Sequence, residues 1–260
     1  MPELPEVETI RRYLDETSLK QAIKDFKVND DRVLDVDHSY LRKSLLNKKF
    51  ESSTRHGKYL FVYLNPKYLV MHFGMTGDLE YYSKTLDEPK FSKVIFYFKN
   101  DFNLAYISRR MFGRLYMVDS IEEFIKMKKL GPDAYTMSFE EFTEALKRRT
   151  AVLKNALLNQ NFIAGIGNIY SDEILFRSKL NPKTKLDDLN ENMVQELFTN
   201  IKEVLKFGIE KKGDLSTYPN SFLIPHRKKE EQCPICSNEI KPFEISGRRG
   251  WYCPNCQKEQ

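Results

Sequence analysis

The first 232 residues of this chain contain no cysteine. No disulfide framework can hold its main body, so that part must rest on a buried core. There is also no apolar run near the ~18 residues that a membrane span requires. The N-terminus lacks the charged, apolar and small-residue sections of an export signal, so the expected address is the cytoplasm, with no membrane partner. The four histidines have no metal-ligand spacing, and His72, inside an apolar run, reads as a structural residue or one behind a site. No internal repeat or low-complexity tract interrupts the chain.

What is present is an ordinary globular composition, 41% hydrophobic and 30% charged over 260 residues. That length suits one large domain or two modest ones. The net charge of +5 and pI near 8.8 are compatible with a polyanionic partner, although many enzymes carry such an excess.

All four cysteines lie in the last 28 residues, as Cys233-Pro-Ile-Cys236 and Cys253-Pro-Asn-Cys256. Two thiolate pairs at this spacing can close a tetrahedral Zn2+ site. A four-sulfur shell leaves no place for water, so one such ion per chain would be structural and would supply much of the folding energy of so short a tail. Between the pairs, Phe243 to Tyr252 has apolar and aromatic flanks around a Gly-containing turn, the pattern of a β-hairpin with Arg248 and Arg249 at its tip. Such arginines can fork onto a phosphate or simply solvate a turn.

Val7, Ile10 and Leu14 share one helical face from Pro5 to about Leu19. From Ala22 to about Val118 the pattern is β-rich, with Tyr59–Leu64, Lys67–His72, Val94–Phe98 and Leu104–Ile107 as the clearest strands. Several short strands behind one early helix predict a β-sandwich or barrel. Beyond Gly131-Pro132 the chain turns helical. Ser138 and Glu141 form a capping-box pattern opening a helix to about Arg149, and Met193 to about Lys211 is a second helix. The expected division is residues 2–118, a linker at 119–135, a helical part at 136–230 and a cysteine hairpin at 231–260.

Two segments carry chemistry. Removal of Met1 ahead of the small Pro2 would leave a secondary amine with Glu3 beside it. An α-amine titrates near pH 8, roughly, and a neutral amine can form a Schiff base. Pro2 and Pro5 equally suit the mere start of a helix. The run Gly165-Ile-Gly167-Asn168 precedes a helix whose free N–H groups could hold an anion, and it equally makes a plain turn.

Taken together, the chain resembles the bacterial formamidopyrimidine-DNA glycosylase/endonuclease VIII family along essentially its whole length. The resemblance is carried by Pro2-Glu3-Leu4-Pro5-Glu6, Arg55-His-Gly-Lys58-Tyr, Met71-His-Phe-Gly-Met75-Thr-Gly, Leu130-Gly-Pro132, Gly165-Ile-Gly-Asn168-Ile-Tyr and the cysteine hairpin. It implies an α+β fold: an N-terminal β-sandwich with an early α-helix, then a helix–two-turn–helix domain ending in a four-cysteine zinc β-hairpin. It implies a monomeric base-excision DNA glycosylase and AP lyase acting on damaged double-stranded DNA, and so associated with the nucleoid.

By the same resemblance, Pro2 is the nucleophile and Glu3 the acid/base group. Lys58, Asn168 and Arg248 grip phosphates around the lesion, with Lys154 a further basic contact. Met75, Arg110 and Phe112 fill the gap left by the flipped nucleotide. Glu6 supports the pocket, and Glu173 orients the N-terminus. The chain departs from the purine-type pattern between Gly213 and Cys233, where the family's long Gly-rich loop is truncated. Oxidised purines (formamidopyrimidine, 8-oxoguanine) remain the expected lesions. An endonuclease VIII-like enzyme for oxidised pyrimidines or hydantoins, a lyase without glycosylase range, and a non-catalytic damaged-DNA-binding protein are the alternatives.

Overall fold

A computed structural model describes residues 2–147 and 150–258. The chain forms two compact units, one of Met1–Pro2 with Glu6–Lys128, the other of Glu3–Pro5 with Lys129–Gln260. Among the described residues, no helix is long and apolar enough to cross a membrane.

In the first unit, α1 (Leu4–Ser18) precedes eight strands: β1 (Ile23–Val28), β2 (Ser52–His56), β3 (Tyr59–Tyr63), β4 (Tyr68–His72), β5 (Gly77–Ser83), β6 (Ser92–Phe98), β7 (Phe102–Ser108) and β8 (Arg114–Val118). They make two four-stranded antiparallel sheets, β1-β6-β7-β5 and β2-β3-β4-β8. Residues at alternate strand positions, among them Leu60, Val62, Leu69, Met71, Val94, Phe96, Leu104 and Tyr106, form one buried core. Val7, Ile10 and Leu14 of α1 and Leu41 and Leu45 of α2 (His38–Leu45) complete that core. This is the expected sandwich, with one more helix than the early one expected.

The stretch expected as a linker, 119–135, contains α3 (Ile121–Met127), capped by the Ser120 side chain. Phe124 of α3 packs edge-on against Tyr59, Phe61 and Tyr116. Helix therefore begins before Gly131-Pro132, because this ring covers an apolar patch of β3 and β8.

The second unit holds α4 (Phe139–Lys147), α5 (Leu153–Leu158), α6 (Asn168–Arg177) and α7 (Glu191–Glu210), then the hairpin of β9 (Lys241–Ile245) and β10 (Arg248–Tyr252). The capping box at α4 is complete: Ser138 N–H donates to Glu141 and Glu141 N–H donates to the Ser138 hydroxyl. The expected end of that helix at Arg149 lies outside the described residues. Leu153, Leu157, Tyr170, Ile174, Leu197, Ile201 and Leu205 form the helical core, together with Leu4 from the N-terminal segment.

Candidate active site and nucleic-acid interface

In the second unit, the chemistry gathers at the start of α6. Glu3 is 2% exposed, and its carboxylate accepts the backbone N–H groups of Gly167, Ile169 and Tyr170 at 2.7, 2.9 and 3.4 Å. The helix N-terminus thus holds an anion, but the anion is Glu3 and not the phosphate that the Gly-x-Gly pattern suggests. Leu4 N–H donates to the Gly165 carbonyl at 3.0 Å, which fixes the neighbouring backbone. Glycine is required at 167, because a Cβ there would stand 2.3 Å from the Glu3 carboxyl carbon.

One turn on, α6 buries Asp172 completely. Its Oδ1 accepts the Lys154 ammonium at 2.5 Å. Its Oδ2 accepts Arg227 at 2.8 and 3.0 Å and the backbone N–H of Trp251 at 3.1 Å. Asn168 adds a second tie, its amide N–H donating to the Arg249 carbonyl at 2.8 Å. The β9–β10 hairpin is therefore anchored on α6 through two side chains. Its tight turn is Ser246-Gly247, both with positive φ, and Arg248 follows, exposed to solvent.

At the base of that hairpin, the Sγ atoms of Cys233, Cys236, Cys253 and Cys256 all lie within 4.8 Å of one another. Two of the separations are 3.8 and 3.5 Å. A tetrahedral ion with ~2.3 Å bonds to sulfur needs edges of about 3.8 Å, so the four thiols fit one metal ion. Backbone N–H groups of Ile235 and Cys256 point at sulfur, which stabilises thiolate charge.

In the first unit, two links run side by side from one sheet to the other. Residues 73–76 join β4 to β5, and residues 109–113 join β7 to β8. The registers Gly77↔Ser108 and His72↔Arg114 hold the ends of both links in pairs. Gly74 takes φ +57, and a Cβ there would meet the Phe112 backbone at 2.4 Å, so the links touch. Thr76 Oγ1 accepts the Arg110 N–H at 3.1 Å. This topology brings together Met75, 38% exposed, Phe112, 55% exposed, and Arg110, whose guanidinium lies over the Phe112 ring. Large apolar side chains that face solvent at one place mark a binding surface.

Lys58 is nearly buried, in the Gly57-Lys58 turn between β2 and β3. Arg55 donates to the Gly57 carbonyl and pairs with Glu8 on α1, which ties this turn to the helix. Burial, followed by the charges of Lys58, Lys128 and Arg114, pushes the His72 imidazole down to about 4. His72 is thus neutral at pH 7 and packs 4.8 Å from the Tyr59 ring.

Comparison with known proteins follows the same division. Residues 1–115 match the formamidopyrimidine-DNA glycosylase N-terminal domain, 130–219 the H2TH domain of the same enzyme, and 230–258 a zinc finger found in FPG and IleRS. The formamidopyrimidine-DNA glycosylase of Ligilactobacillus salivarius is 34% identical over 99% of both chains, and that of Mycoplasma genitalium is 35% identical over 99% of this chain and 96% of its own. The chain belongs to the formamidopyrimidine-DNA glycosylase family. Among solved structures, a Lactococcus lactis FPG (MutM) complex with FAPY-dG-containing DNA superimposes with a TM-score of 0.90, at 29% identity over 99% of this chain and 100% of that one. MutM in complex with carbocyclic 8-oxo-G-containing DNA gives 0.89, at the same identity and coverage.

Two of the residues expected at the site are held inside the second unit of this glycosylase family member. Lys154 is 1% exposed, and its ammonium is spent on Asp172, Ser171 Oγ and the Asn168 carbonyl. Burial pushes its pKa below the ordinary value, and Asp172 opposes that shift. Lys154 is an internal clamp between α5 and α6. Glu173 is also fully buried. Its Oε2 accepts the Ile224 N–H at 2.9 Å, and burial pushes its carboxyl up to about 7.

Glu173 thereby holds the short 213–232 segment, which lies folded as two single 3-10 turns with Tyr218, Phe222, Leu223 and Ile224 buried. His226 ties it further, bridging the Asn220 carbonyl and Glu231. Glu6 sits half-buried in the first turn of α1. Sequence reading missed Asp172 and Arg227 altogether. The available signal was a pair of acidic residues, Asp172 and Glu173, with apolar residues on both sides (Ile169 to Phe176).

Proposed function

We propose that this chain excises oxidised purines, formamidopyrimidines and 8-oxoguanine, from duplex DNA and then cleaves the strand as an AP lyase, with Pro2 as nucleophile. The observation that carries the reading is the pinned carboxylate of Glu3, one peptide bond from Pro2. Once Met1 is removed, the Pro2 nitrogen is a secondary amine, partly neutral at physiological pH. Its lone pair attacks the sugar C1′. The glycosidic bond breaks, and its electron pair leaves with the base, which takes up a proton.

Opening of the sugar ring then gives an iminium between Pro2 and C1′. That positive charge acidifies the C2′ proton. Loss of the proton expels the 3′ phosphate, and a second elimination expels the 5′ phosphate. Glu3 serves these proton transfers. Its three backbone N–H bonds fix where its oxygens stand, which is the positional control that proton transfer needs.

Lys58, Asn168 and Arg248 grip the backbone around the lesion, and Glu6 supports the pocket. Met75, Arg110 and Phe112 fill the space left by the extruded nucleotide, whose unstacking costs a few kcal/mol, roughly. The metal is zinc, the ion that four thiolates favour. It would hold Arg248's hairpin and take no part in the reaction. The chain works as a monomer on damaged duplex DNA, at the nucleoid in the cytoplasm.

The test is borohydride trapping of untagged protein on duplexes with 8-oxoguanine opposite cytosine, dihydrouracil, or an abasic site. A covalent adduct on 8-oxoguanine, absent in Pro2→Gly, is the expected result. Trapping on dihydrouracil alone would transfer the protein to oxidised pyrimidines. Trapping on the abasic site alone would leave only the lyase. Tight binding without any adduct would leave a damage-binding protein.

A further inference from the structure

The first unit contains eight arginines, at 11, 12, 32, 42, 55, 109, 110 and 114. Five of them lie against carboxylates: Arg11, Arg12 and Arg55 on Glu8, Arg32 on Asp30, and Arg42 on Asp25. The other three all fall within Arg109–Arg114. Arg114 is spent on the carbonyls of Met111 and Gly113. Among the described residues, neither Arg109 nor Arg110 has a carboxylate within ion-pair distance. Arginines elsewhere in the unit are neutralised by the protein itself, and those of this loop are left for an anion from outside.

Arg109 is also pre-positioned. Its guanidinium lies 4.8 Å from the centroid of the Phe91 ring. Phe91 is 46% exposed, so a large apolar side chain faces solvent here without core packing to explain it. Its backbone takes φ +65, a conformation rare and costly for a bulky residue. The Ser108 N–H donates to the Phe91 carbonyl at 3.2 Å, which fixes Phe91 directly beside Arg109. A guanidinium held over a ring by cation–π attraction still carries N–H donors that can fork onto a phosphate.

We infer that Arg109, held by Phe91, is a DNA-phosphate contact that extends the loop bearing Arg110 and Phe112. This inference rests on the glycosylase reading and adds a residue pair to the DNA-binding surface of the same unit. Arg109 closes a patch in which Met75, Phe112 and Phe91 supply apolar surface and two unneutralised guanidiniums supply charge. Patterns of this kind suit a polyanion with stacked bases.

The test is equilibrium binding to a duplex carrying a non-cleavable abasic analogue, from 50 to 200 mM salt, alongside borohydride trapping on a natural abasic duplex. Arg109→Gln is expected to flatten the slope of log affinity against log salt by about 0.9, and to weaken binding about eightfold at 0.1 M salt. Arg109→Lys should keep the slope. Phe91→Ala should keep the slope and weaken binding about two- to fivefold through the lost cation–π support. Arg42→Gln removes the same charge from an arginine that also lies over a ring, Phe26, but is paired with Asp25, and should leave the slope unchanged.

A wild-type slope in Arg109→Gln, or an equal loss in Arg42→Gln, would overturn the inference while trapping by the wild type left the glycosylase reading standing. A wild-type protein that neither bound the duplex nor trapped would overturn both.

Discussion

Asp172 on α6 accepts the backbone N–H of Trp251 on β10, 79 residues away, at 3.1 Å. The same carboxylate carries Lys154 and Arg227. The hairpin that presents Arg248 is thus aimed by a helix as well as closed by cysteines. One anion between a buried lysine and a partly buried arginine is the joint.

Removing that anion leaves the buried Lys154 and the partly buried Arg227 without their shared carboxylate. Breaking a buried pair in this way costs about 3–5 kcal/mol. Asp172→Asn is therefore expected to destabilise the second unit strongly. Lys154→Met should cost less, because Asp172 keeps Arg227 and Trp251. Denaturant unfolding followed through Trp251, the single tryptophan of the chain, measures both. Equal losses in the two variants would contradict the joint.

Metal removal tests the other anchor. The residues packed around the thiols, Phe176, Leu223, Ile240 and Trp251, are too few to hold the hairpin without a metal. A chelator should release one ion per chain, shift Trp251 fluorescence and abolish tight DNA binding. The β-sheet circular dichroism of the first unit should survive. Cys236→Ser should behave as the chelated protein does, and full DNA affinity after metal release would refute the account.

The legible parts of this molecule were those where one signal sufficed. Tyr59–Leu64 and Val94–Phe98 are apolar enough to read as strands alone, and Ser138 with Glu141 spells out a helix start. The strand β2, Ser-Ser-Thr-Arg-His, is polar throughout and is a strand only because β3 pairs with it. The helix α2 buries just Leu41 and Leu45, too few for a periodic pattern. At the site, the four cysteines were readable from their spacing. Burial was not: Lys154 in a sequence is simply a basic residue, and only packing against α6 shows that its charge is already spent. Asp172 was hidden for the same reason, since its partners come from three distant segments.

Glu173 gives a pH prediction with a definite sign. Its folded carboxyl titrates at about 7 against an ordinary value of 4.5, because burial penalises the charged form. Between those values the native state holds a proton that the unfolded state has released. Stability from this group is therefore complete below about pH 4.5 and is lost as pH rises to about 7, by on the order of 3 kcal/mol. Glu173→Gln cannot ionise and can still accept the Ile224 N–H. Its stability relative to wild type should rise from pH 5 to pH 8 in paired unfolding titrations. Parallel pH profiles would show that Glu173 does not titrate in this range.

Phe112 offers the cleanest separation of function from folding. At 55% exposed its ring contributes little to the core, so Phe112→Ala should change stability by no more than about 0.5 kcal/mol. If the ring fills the space of an extruded nucleotide, its loss returns part of the few kcal/mol of unstacking to the barrier. Single-turnover excision of 8-oxoguanine opposite cytosine should slow about 10- to 100-fold. The same lesion in an unpaired bubble has far less stacking to replace, so the loss there should be slight. Met75→Ala should follow the same pattern more weakly, being smaller and less exposed. An equal slowing on duplex and bubble would assign Phe112 to lesion contact and remove it from the wedge.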